Sequence, residues 1–496
     1  MSLLFFQNDY TPVLPELFLL ISTILSIIFL VVYSTSSPLN FPVLLNTSSW
    51  LVLQTLVIAL YLNIHNYCYN VIALDNSIIT DFFSYSIKTV VLIASISVVL
   101  MSLSYFKFET INSFELSLLI IFATLGSLLL ISSYSLISMY LAIELQSFCS
   151  YIICAFKRNS EYSAEASLKY FILGAFSTGF LLFGCSFIYG FTGSTSYKQI
   201  SMLFLELGYN HPQNYGVAIG ITFVLISFLF KLSAAPFHLW SPDIYEGSPT
   251  IVTAFFAIVP KLGLLAVIIR IFFDSFYVFF YCWQFVFFLS SIISMIIGCF
   301  GAIWQTKLKR LLAFSSISHV GFMLIGICCG SIEGISALIF YSIIYVIASI
   351  SSFSFLLTIR KNDNKKRIKY IEDLAIISKT NPFIAILTTI VFFSIAGVPP
   401  LAGFFSKLFI ISSSISHLLY SLAFIGVLTS IVSCFYYIRV IQTVYFEQIN
   451  EYITTQKNNK ETSILLSLSV LLLLIFFFHP NMLFMLTYNI SIDICT

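Results

Sequence analysis

The feature that most constrains this chain is a series of apolar runs, each about twenty residues long. A helix needs about 20 mainly apolar residues to cross the roughly 30 Å hydrocarbon core of a bilayer. Fourteen runs meet this requirement, and they predict an all-α polytopic membrane protein of about fourteen transmembrane helices embedded in the lipid bilayer. The runs begin near residues 13, 50, 80, 114, 135, 166, 217, 250, 277, 310, 333, 383, 416 and 463.

The composition excludes a water-soluble protein. Of the 496 residues, 59% are hydrophobic and only 9% are charged, whereas soluble domains carry about 25% charged residues. The net charge of +2 gives no reason to expect a nucleic-acid partner. Phe (53 residues) and Tyr (28) are frequent while Gly (20) is sparse. AT-rich coding produces such a skew, which points towards an organelle genome.

Cysteine and histidine spacing argues against a cofactor in this chain. The ten cysteines are scattered without a Cys-x-x-Cys pair, and the six histidines are never three or four residues apart. Haem, iron–sulfur and zinc sites use such clustered ligands. We therefore expect no metal and no cofactor here, with any redox chemistry located in other chains.

The distribution of Lys and Arg tests the number of spans, because short inner loops carry most of these residues. If the spans alternate, the loops after the odd-numbered spans share one side and hold sixteen cations, against Lys198 alone on the other side. A missed span in the middle would exchange the sides of all later loops. The basic side is therefore predicted to be inside and both termini outside. The sixteen cations are Lys107, Lys157, Arg158, Lys169, Lys307, Lys309, Arg310, Arg360, Lys361, Lys365, Lys366, Arg367, Lys369, Lys379, Lys457 and Lys460.

Four ionisable residues lie near the centres of apolar spans: Lys231, Lys261, Lys407 and Glu144. A charge at the centre of a membrane helix costs about 2.5–3.5 kcal/mol on insertion scales, so such residues usually mark a transport path. Salt-bridged packing is the alternative. Arg270 and Arg439 lie near the end of a span and can instead extend to the membrane interface.

Two of these lysines share a span with a helix breaker. Pro236 follows Lys231 and leaves the carbonyl of Leu232 without its helical donor. Pro399-Pro400 precede Lys407 and free the carbonyls of Ile395 and Ala396 in the same way. Broken spans in corresponding halves of a transporter indicate a transport site, although a kink satisfied by neighbouring helices is the simpler alternative. Two broken helices are therefore predicted.

A nearly constant offset relates ionisable residues in the two halves and suggests two five-helix repeats. Because five is odd, the second repeat must be inverted in the membrane. The three pairs are Glu144 and His319, Lys231 and Lys407, and Lys261 and Arg439, separated by 175, 176 and 178 residues. The predicted segments are a three-helix part (1–112), a first repeat (113–272), an inverted second repeat (277–445), and an inner loop with the last helix (446–496).

Buried lysines suit proton movement, because desolvation weakens the proton affinity of an amine and a nearby carboxylate restores it. A carboxylate that approaches or withdraws can therefore load or unload a lysine. Histidine titrates near neutrality, which suits a relay. His238 and His319 are the candidates for that role, with satisfied packing inside the helix bundle as the alternative for each.

Three segments resemble signatures of the antiporter-like membrane subunits of respiratory complex I, in the version of subunit 2. They are FKLSAAPFHLWSPDIYEGSPT (230–250), RLLAFSSISHVGFMLIG (310–326) and GVPPLAGFFSK (397–407). SAEASLKYFILGAFSTG (163–179) fits as well, and the likeness extends over about residues 80–445.

The resemblance implies proton translocation driven by NADH:ubiquinone electron transfer in other subunits. Those partner subunits would hold NADH, FMN, iron–sulfur clusters and ubiquinone. The resemblance makes Glu144 the carboxylate of span 5 and Lys231 the lysine of broken span 7. Lys261 becomes the central lysine and Lys407 the lysine of broken span 12. Span 11 departs from the family pattern, because FYSIIYVIASISSFSFLL lacks an Asn-Leu-Gly-Ala-Phe-like stretch.

The resulting hypothesis is a proton-pumping subunit of complex I in the mitochondrial inner membrane, with both termini in the intermembrane space. Three alternatives remain: a subunit of a multi-chain cation/proton antiporter, the homologous subunit of a chloroplast or bacterial complex, and a membrane scaffold with inert lysines.

Overall fold

The computed structural model describes residues 10–34, 45–66, 70–109, 114–157, 159–207, 213–360, 368–447 and 460–495. Thirteen helices in these ranges are long and apolar enough to cross a membrane. The remaining predicted span, span 12, is present as two shorter apolar helices, Pro382–Ala396 and Ala402–Ser416. The predicted all-α polytopic fold is therefore confirmed, including the break in span 12.

The helices before the first break are α1 (Leu14–Ser34), α2 (Leu45–His65), α3 (Phe82–Glu109), α4 (Glu115–Ser132), α5 (Leu136–Cys154), α6 (Glu161–Thr192), α7 (Tyr197–Leu207) and α8 (Gln213–Leu232). The helices that follow it are α9 (Trp240–Gly247), α10 (Thr250–Arg270), α11 (Phe280–Ile303), α12 (Leu308–Cys328), α13 (Ile332–Thr358), α14 (Ile377–Thr380), α15 (Pro382–Ala396), α16 (Ala402–Ser416), α17 (Tyr420–Phe446), α18 (Lys460–Phe478) and α19 (Pro480–Cys495).

Local sequence explains several helix ends. Ser135 and Ser138 form a reciprocal capping box at the start of α5, which satisfies backbone N–H groups that have no helical partner. The side chain of Ser331 accepts a hydrogen bond from Gly334 N at the start of α13. Gly193 ends the 32-residue helix α6 with a φ of 68°, a left-handed conformation that glycine adopts without strain.

A small β-hairpin lies between α2 and α3 and is absent from the sequence-based expectations. Its strands β1 (Val71–Ala73) and β2 (Ile78–Thr80) pair antiparallel, with Val71 opposite Thr80. Leu74, Asp75 and Asn76 all have positive φ angles in the turn. The Asp-Asn pair is the local signal for this turn, because both residues tolerate the left-handed region.

The chain forms two compact units. The first comprises the chain up to Leu232, Ile258–Val286, and the end from Ile490; the second comprises Ser233–Ala257 and Phe287–Asn489. In the first unit α6 packs along α8 and α4 packs along α5, while in the second α13 packs against α12, α16 and α18. The proposed five-helix repeats stay a prediction. Among the loop cations, Arg158, Lys361, Lys365, Lys366, Arg367 and Lys457 lie outside the described residues.

Candidate functional site: lysines beside two broken helices

Glu144 belongs to a polar stripe on α5. Ser147 Oγ donates to the Glu144 backbone carbonyl at 3.1 Å and lies 3.4 Å from Glu144 Oε2. The Tyr140 and Tyr151 side chains interact with Glu144 and Ser147, respectively. Positions 140, 144, 147 and 151 share one helix face because they are three or four residues apart. The stripe therefore gives the carboxylate polar neighbours on both sides along the helix.

Tyr151 packs directly against a glycine on the neighbouring helix. A Cβ atom added to Gly174 of α6 would lie 2.1 Å from Tyr151 Oη, so only glycine leaves room for this hydroxyl. The Tyr151 ring packs edge-on against Tyr170 with centroids 4.7 Å apart. Ser150 Oγ donates to Tyr170 Oη at 3.2 Å, which extends the polar contacts from α5 to α6.

Lys231 ends α8 one residue before the first break. The charge of the Glu144 carboxylate acts on its ammonium group, although no ion pair within 4.0 Å joins these two described residues. Lys261 is 4% exposed and follows Pro260 inside α10. The first unit thus contains the predicted carboxylate with two of the predicted lysines.

The first break is confirmed as an interruption between α8 and α9 that contains Pro236 and His238. His238 is 8% exposed, and its backbone carbonyl accepts hydrogen bonds from Ser241 N and Oγ at 3.0 and 3.1 Å. It belongs to the second unit. It is not among the residues that line the cavity around Lys407, so the structure does not group it with His319.

At the second break, Lys407 of α16 binds a carbonyl freed by the interruption. Its Nζ donates to Ala396 O, the last residue of α15, at 2.6 Å. Gly397 follows with a φ of 83°, and a Cβ atom there would lie 2.8 Å from Lys407 Cδ. The same ammonium group lies 5.5 Å from the centroid of the Phe322 ring, within cation–π range. The predicted loss of the Ala396 helical donor is confirmed, and Lys407 replaces that donor.

Lys407 also lines an internal cavity of the second unit. The cavity has about 40 Å³ of space for the centres of water molecules. About 10–15 Å³ of such space holds one water, so the cavity has room for about three. Polar side chains from four helices reach it: Ser315, Ser316, His319, Tyr341, Tyr345, Ser349, Ser352, Ser394, Ser406 and Lys407.

A short hydrogen bond joins two residues of the cavity wall. His319 Nδ1 on α12 lies 2.6 Å from Tyr341 Oη on α13. Both side chains are buried, with 7% and 2% of their surface exposed. The structure therefore brings two predicted site residues, His319 and Lys407, to one cavity, and places Tyr341 between α12 and α16 as a residue that the sequence did not single out.

Lys407 also lines a second, more open pocket. This pocket is lined by Ala396, Gly397, Phe404 and Cys434, among others. One buried ammonium group therefore borders both the serine-lined cavity and a more open pocket. That position allows the amine to exchange a proton with either side.

The expectation that Arg270 extends to the membrane interface is wrong. The residue is 3% exposed, and its Nη2 binds both carboxylate oxygens of Asp81 at 2.9 and 2.8 Å. Arg270 Nη1 lies 3.9 Å from Asp274 Oδ2. Burial alone raises the pKa of Asp81, but the charge of Arg270 and hydrogen bonds from Ser84 outweigh it and lower the pKa below 3.8. The sequence could not show this pair, because 189 residues separate its members.

A charged cluster in the second unit ties α9 to the start of α12. Glu246 forms ion pairs with Lys307 and with Arg310 Nη1, the latter at 3.4 Å. Arg310 Nη2 also lies 3.6 Å from Asp243 Oδ1, and Lys309 Nζ donates to Ser248 O at 2.7 Å. The helix that follows the first break is thus held by side chains at both of its acidic positions.

The site also contains residues that the sequence did not single out. Tyr140, Ser147 and Tyr151 could have been found from their three- and four-residue spacing around Glu144. Tyr341 and Tyr345 have the same spacing on span 11 but no ionisable neighbour in sequence to attract attention.

Within the described ranges, no group of three or more His, Cys, Asp or Glu side chains could hold a metal ion.

Comparison with known proteins gives a consistent result. Residues 133–433, which include all six predicted site residues, match the family model described as NADH:quinone oxidoreductase/Mrp antiporter, transmembrane region. The chain is 46% identical over 499 residues to NADH-ubiquinone oxidoreductase chain 2 of Marchantia polymorpha, covering 99% of this chain and 100% of that protein.

A bacterial relative and a solved structure extend this result. The chain is 43% identical over 376 residues to NADH-quinone oxidoreductase subunit N 1 of Rhizobium meliloti, covering 76% of this chain and 77% of the relative. A chain of respiratory complex I from Thermus thermophilus matches with a TM-score of 0.77 and 25% identity, covering 95% of this chain and 98% of that one.

Proposed function

The chain belongs to the NADH:quinone oxidoreductase/Mrp antiporter family of membrane proteins, and we propose that it is the proton-translocating chain 2 subunit of NADH:ubiquinone oxidoreductase. Its location would be the mitochondrial inner membrane, with both termini on the intermembrane-space side. The observation that carries the proposal is the buried Lys407 ammonium group, bound to Ala396 O at a helix break and bordered by two cavities.

The first unit would load and unload Lys231. Glu144 supplies the negative charge that acts on this lysine, and the stripe of Tyr140, Ser147 and Tyr151 supplies polar contacts along α5. A change in the Glu144–Lys231 distance alters the electrostatic stabilisation of the ammonium form. Lys261, buried in α10, is the next proton carrier of this unit.

The second unit would deliver the proton at Lys407. His319 reaches the same cavity as this lysine, and neutral imidazole accepts a proton that imidazolium later releases. Carrying one charge across 100 mV requires about 2.3 kcal/mol. The interaction energy between the Lys407 ammonium group and its surroundings therefore has to change by only about 2–3 kcal/mol to drive release of the proton. His238, in the first break, is a candidate for a separate relay.

Electron transfer would occur in partner subunits, which would bind NADH, FMN, the iron–sulfur clusters and ubiquinone. This chain would contribute to the enzyme as a membrane subunit in contact with other membrane subunits and with lipid. Its part is to hold and move protons at Glu144, Lys231, Lys261 and Lys407.

The test is Lys231→Ala and Glu144→Gln in the intact complex, reconstituted into sealed vesicles. NADH oxidation and proton uptake are recorded together, and the exposed Lys198 provides the control Lys198→Ala. We expect both site variants to lower the number of protons moved per electron, with the control unchanged. Wild-type ratios in both would contradict the assignment of these residues.

A cation/proton antiporter subunit is the second candidate, because the matching family model includes Mrp antiporters. The two functions differ in what drives the proton. Purification of the native complex separates them: flavin and iron–sulfur subunits accompany a complex I subunit. Proton flux driven by a Na⁺ gradient without NADH would instead support the antiporter.

A further inference from the structure

We propose that Tyr341 is a proton-carrying residue that passes protons from His319 into the cavity of Lys407. The inference rests on the proposed function and adds a residue to it. Tyr341 lies on span 11, where the sequence lacks the polar pattern typical of the family. Its hydroxyl supplies a polar connection between α12 and the cavity wall.

The geometry around Tyr341 is fixed on both sides. The His319–Tyr341 hydrogen bond measures 2.6 Å, near the short end of the range for protein hydrogen bonds. The Tyr341 ring stacks on Phe322 at an interplanar angle of 19° with centroids 6.1 Å apart. Phe322 in turn lies under the Lys407 ammonium group. The hydroxyl therefore keeps its position between the imidazole and the cavity without rotation of the ring.

The serines that line the cavity make its wall rich in hydrogen-bond acceptors. Each of the six donates its hydroxyl proton to the backbone carbonyl three residues earlier, at 2.8–2.9 Å. A hydroxyl oxygen that has donated its proton still has lone pairs to accept hydrogen bonds. The six residues are Ser315, Ser316, Ser349, Ser352, Ser394 and Ser406.

An acceptor-rich wall favours species that carry extra protons. Water molecules in the cavity can donate to the serine oxygens, and an ammonium or hydronium group gains the same contacts. The space suffices for about three waters. Water can therefore connect the Tyr341 hydroxyl with Lys407 inside the cavity, while the serines remain bound to their own helices.

The proposed step conserves atoms and charge. The imidazolium form of His319 gives its Nδ1 proton to Tyr341 Oη. Tyr341 gives its own hydroxyl proton to a cavity water, and the water passes a proton to the neutral amine of Lys407. One N–H bond breaks at His319, one O–H bond forms and one breaks at Tyr341, and one N–H bond forms at Lys407. Tyrosine stays neutral throughout, so no phenolate is formed in the buried site.

The experiment compares three substitutions of Tyr341 in the intact complex in sealed vesicles. Tyr341→Phe keeps the ring and its stacking but removes the hydroxyl. Tyr341→Gln keeps a hydrogen-bonding group next to His319 that cannot relay a proton, whereas Tyr341→His restores a group that can. A positioned proton-transfer group accelerates a step by about 10²–10⁴-fold. We therefore expect the Phe and Gln variants to lower proton flux by about tenfold or more, and the His variant to recover part of it.

Two controls separate relay from packing. Tyr436 is a buried tyrosine of the same unit that is 1% exposed and does not line the cavity, so Tyr436→Phe should pump normally. In the double variant His319→Leu with Tyr341→Phe, proton flux should fall no further than in the more affected single variant, because both residues serve one path. Additive losses, or no recovery in Tyr341→His, would overturn the inference.

Lys407→Met, measured in parallel, distinguishes failure of this inference from failure of the proposed function. Wild-type pumping in Lys407→Met would contradict the proposed function itself. Loss of pumping in Lys407→Met together with wild-type pumping in Tyr341→Phe and Tyr341→Gln would overturn only the role of Tyr341.

Discussion

Lys407 Nζ donates a 2.6 Å hydrogen bond to the carbonyl oxygen of Ala396, the last residue of the helix that precedes the break. The break leaves this buried carbonyl without its helical donor, and the lysine occupies the position of that donor. The Lys407 side chain therefore supplies the stronger of two side-chain donors to Ala396 O, the other being Cys434 Sγ at 3.8 Å, and it carries the charge proposed to move. These two roles can be separated by substitution.

Lys407→Arg should retain the hydrogen bond to Ala396 but abolish proton release, because a guanidinium group remains protonated in proteins. Lys407→Met should lose both roles and leave the buried Ala396 carbonyl with only the weak 3.8 Å contact from Cys434 Sγ; an unsatisfied buried carbonyl costs about 1–3 kcal/mol. We expect both variants to stop pumping and only Lys407→Met to lower thermal stability of the complex clearly. Lys198→Met serves as the exposed control. Normal pumping by Lys407→Arg would show that deprotonation at this position is not required.

Asp81→Asn should destabilise the first unit strongly, because it leaves the buried Arg270 charge uncompensated. Removing one partner of a buried ion pair costs about 3–5 kcal/mol. Asp75→Asn, at an exposed turn position, is the matched control. Thermal unfolding of the two variants in the same detergent measures the difference. Equal melting temperatures would contradict a structural role for the Asp81–Arg270 pair.

Stability should depend on pH through Asp81. Its pKa is lowered in the folded protein, so the folded carboxylate binds a proton less readily than the unfolded one. Its contribution is complete above the ordinary value of 3.8 and declines as the pH falls through the lower folded value. The wild type should therefore lose more stability than Asp81→Asn as the pH falls from about 5 to about 3. This range begins above the ordinary carboxyl pKa and extends below it. Parallel losses in both proteins would exclude this contribution.

Gly403→Ala should prevent α15 and α16 from packing closely at the second break. A Cβ atom at this position would lie 1.7 Å from the carbonyl oxygen of Ser394, a backbone atom that cannot move without displacing α15. Gly190→Ala is the control, because nothing lies within 4 Å of its added Cβ. We expect Gly403→Ala to reduce assembly of the complex severalfold, measured as assembled complex on native gels. Assembly equal to that of Gly190→Ala would mean that α15 and α16 can separate freely.

Glu246→Gln should loosen α9 from the start of α12 by a small, salt-dependent amount. The ion pairs of Glu246 with Lys307 and Arg310 are partly exposed, and such pairs contribute about 0–1 kcal/mol each. The exposed Glu161 provides the control Glu161→Gln. The expected decrease in melting temperature should shrink as ionic strength rises, because salt screens exposed charges. A decrease independent of salt would point to lost packing instead.

The sequence predicts this fold well where a single span carries the signal. Apolar length predicted fourteen spans, of which thirteen are long apolar helices among the described residues. Proline placement identified the two breaks and the Ala396 carbonyl. Both signals are local, so no knowledge of neighbouring helices was needed. The charged residues Lys231, Lys261 and Lys407 were equally visible because charge is rare in an apolar span.

Relationships across the fold could not be predicted in this way. Tyr341 and His319 meet because α12 packs beside α13, and neither residue is unusual within its own helix. Asp81 and Arg270 pair across 189 residues, so the position of Arg270 near the end of a span suggested an interface cation instead. Serines in apolar spans likewise gave no sign that six of them would surround one cavity.

Helix α6 has a length that the bilayer cannot enclose. Its 32 residues extend about 48 Å at 1.5 Å per residue, whereas the hydrocarbon layer is about 30 Å thick. Fitting it inside would require a tilt of about 50°, beyond the range of about 0–40° observed for membrane helices. At least one end must therefore stand clear of the acyl chains. The first two and a half turns include the Glu165–Lys169 ion pair at 2.7 Å, and they are polar enough to extend into the surrounding water as a rigid helical segment.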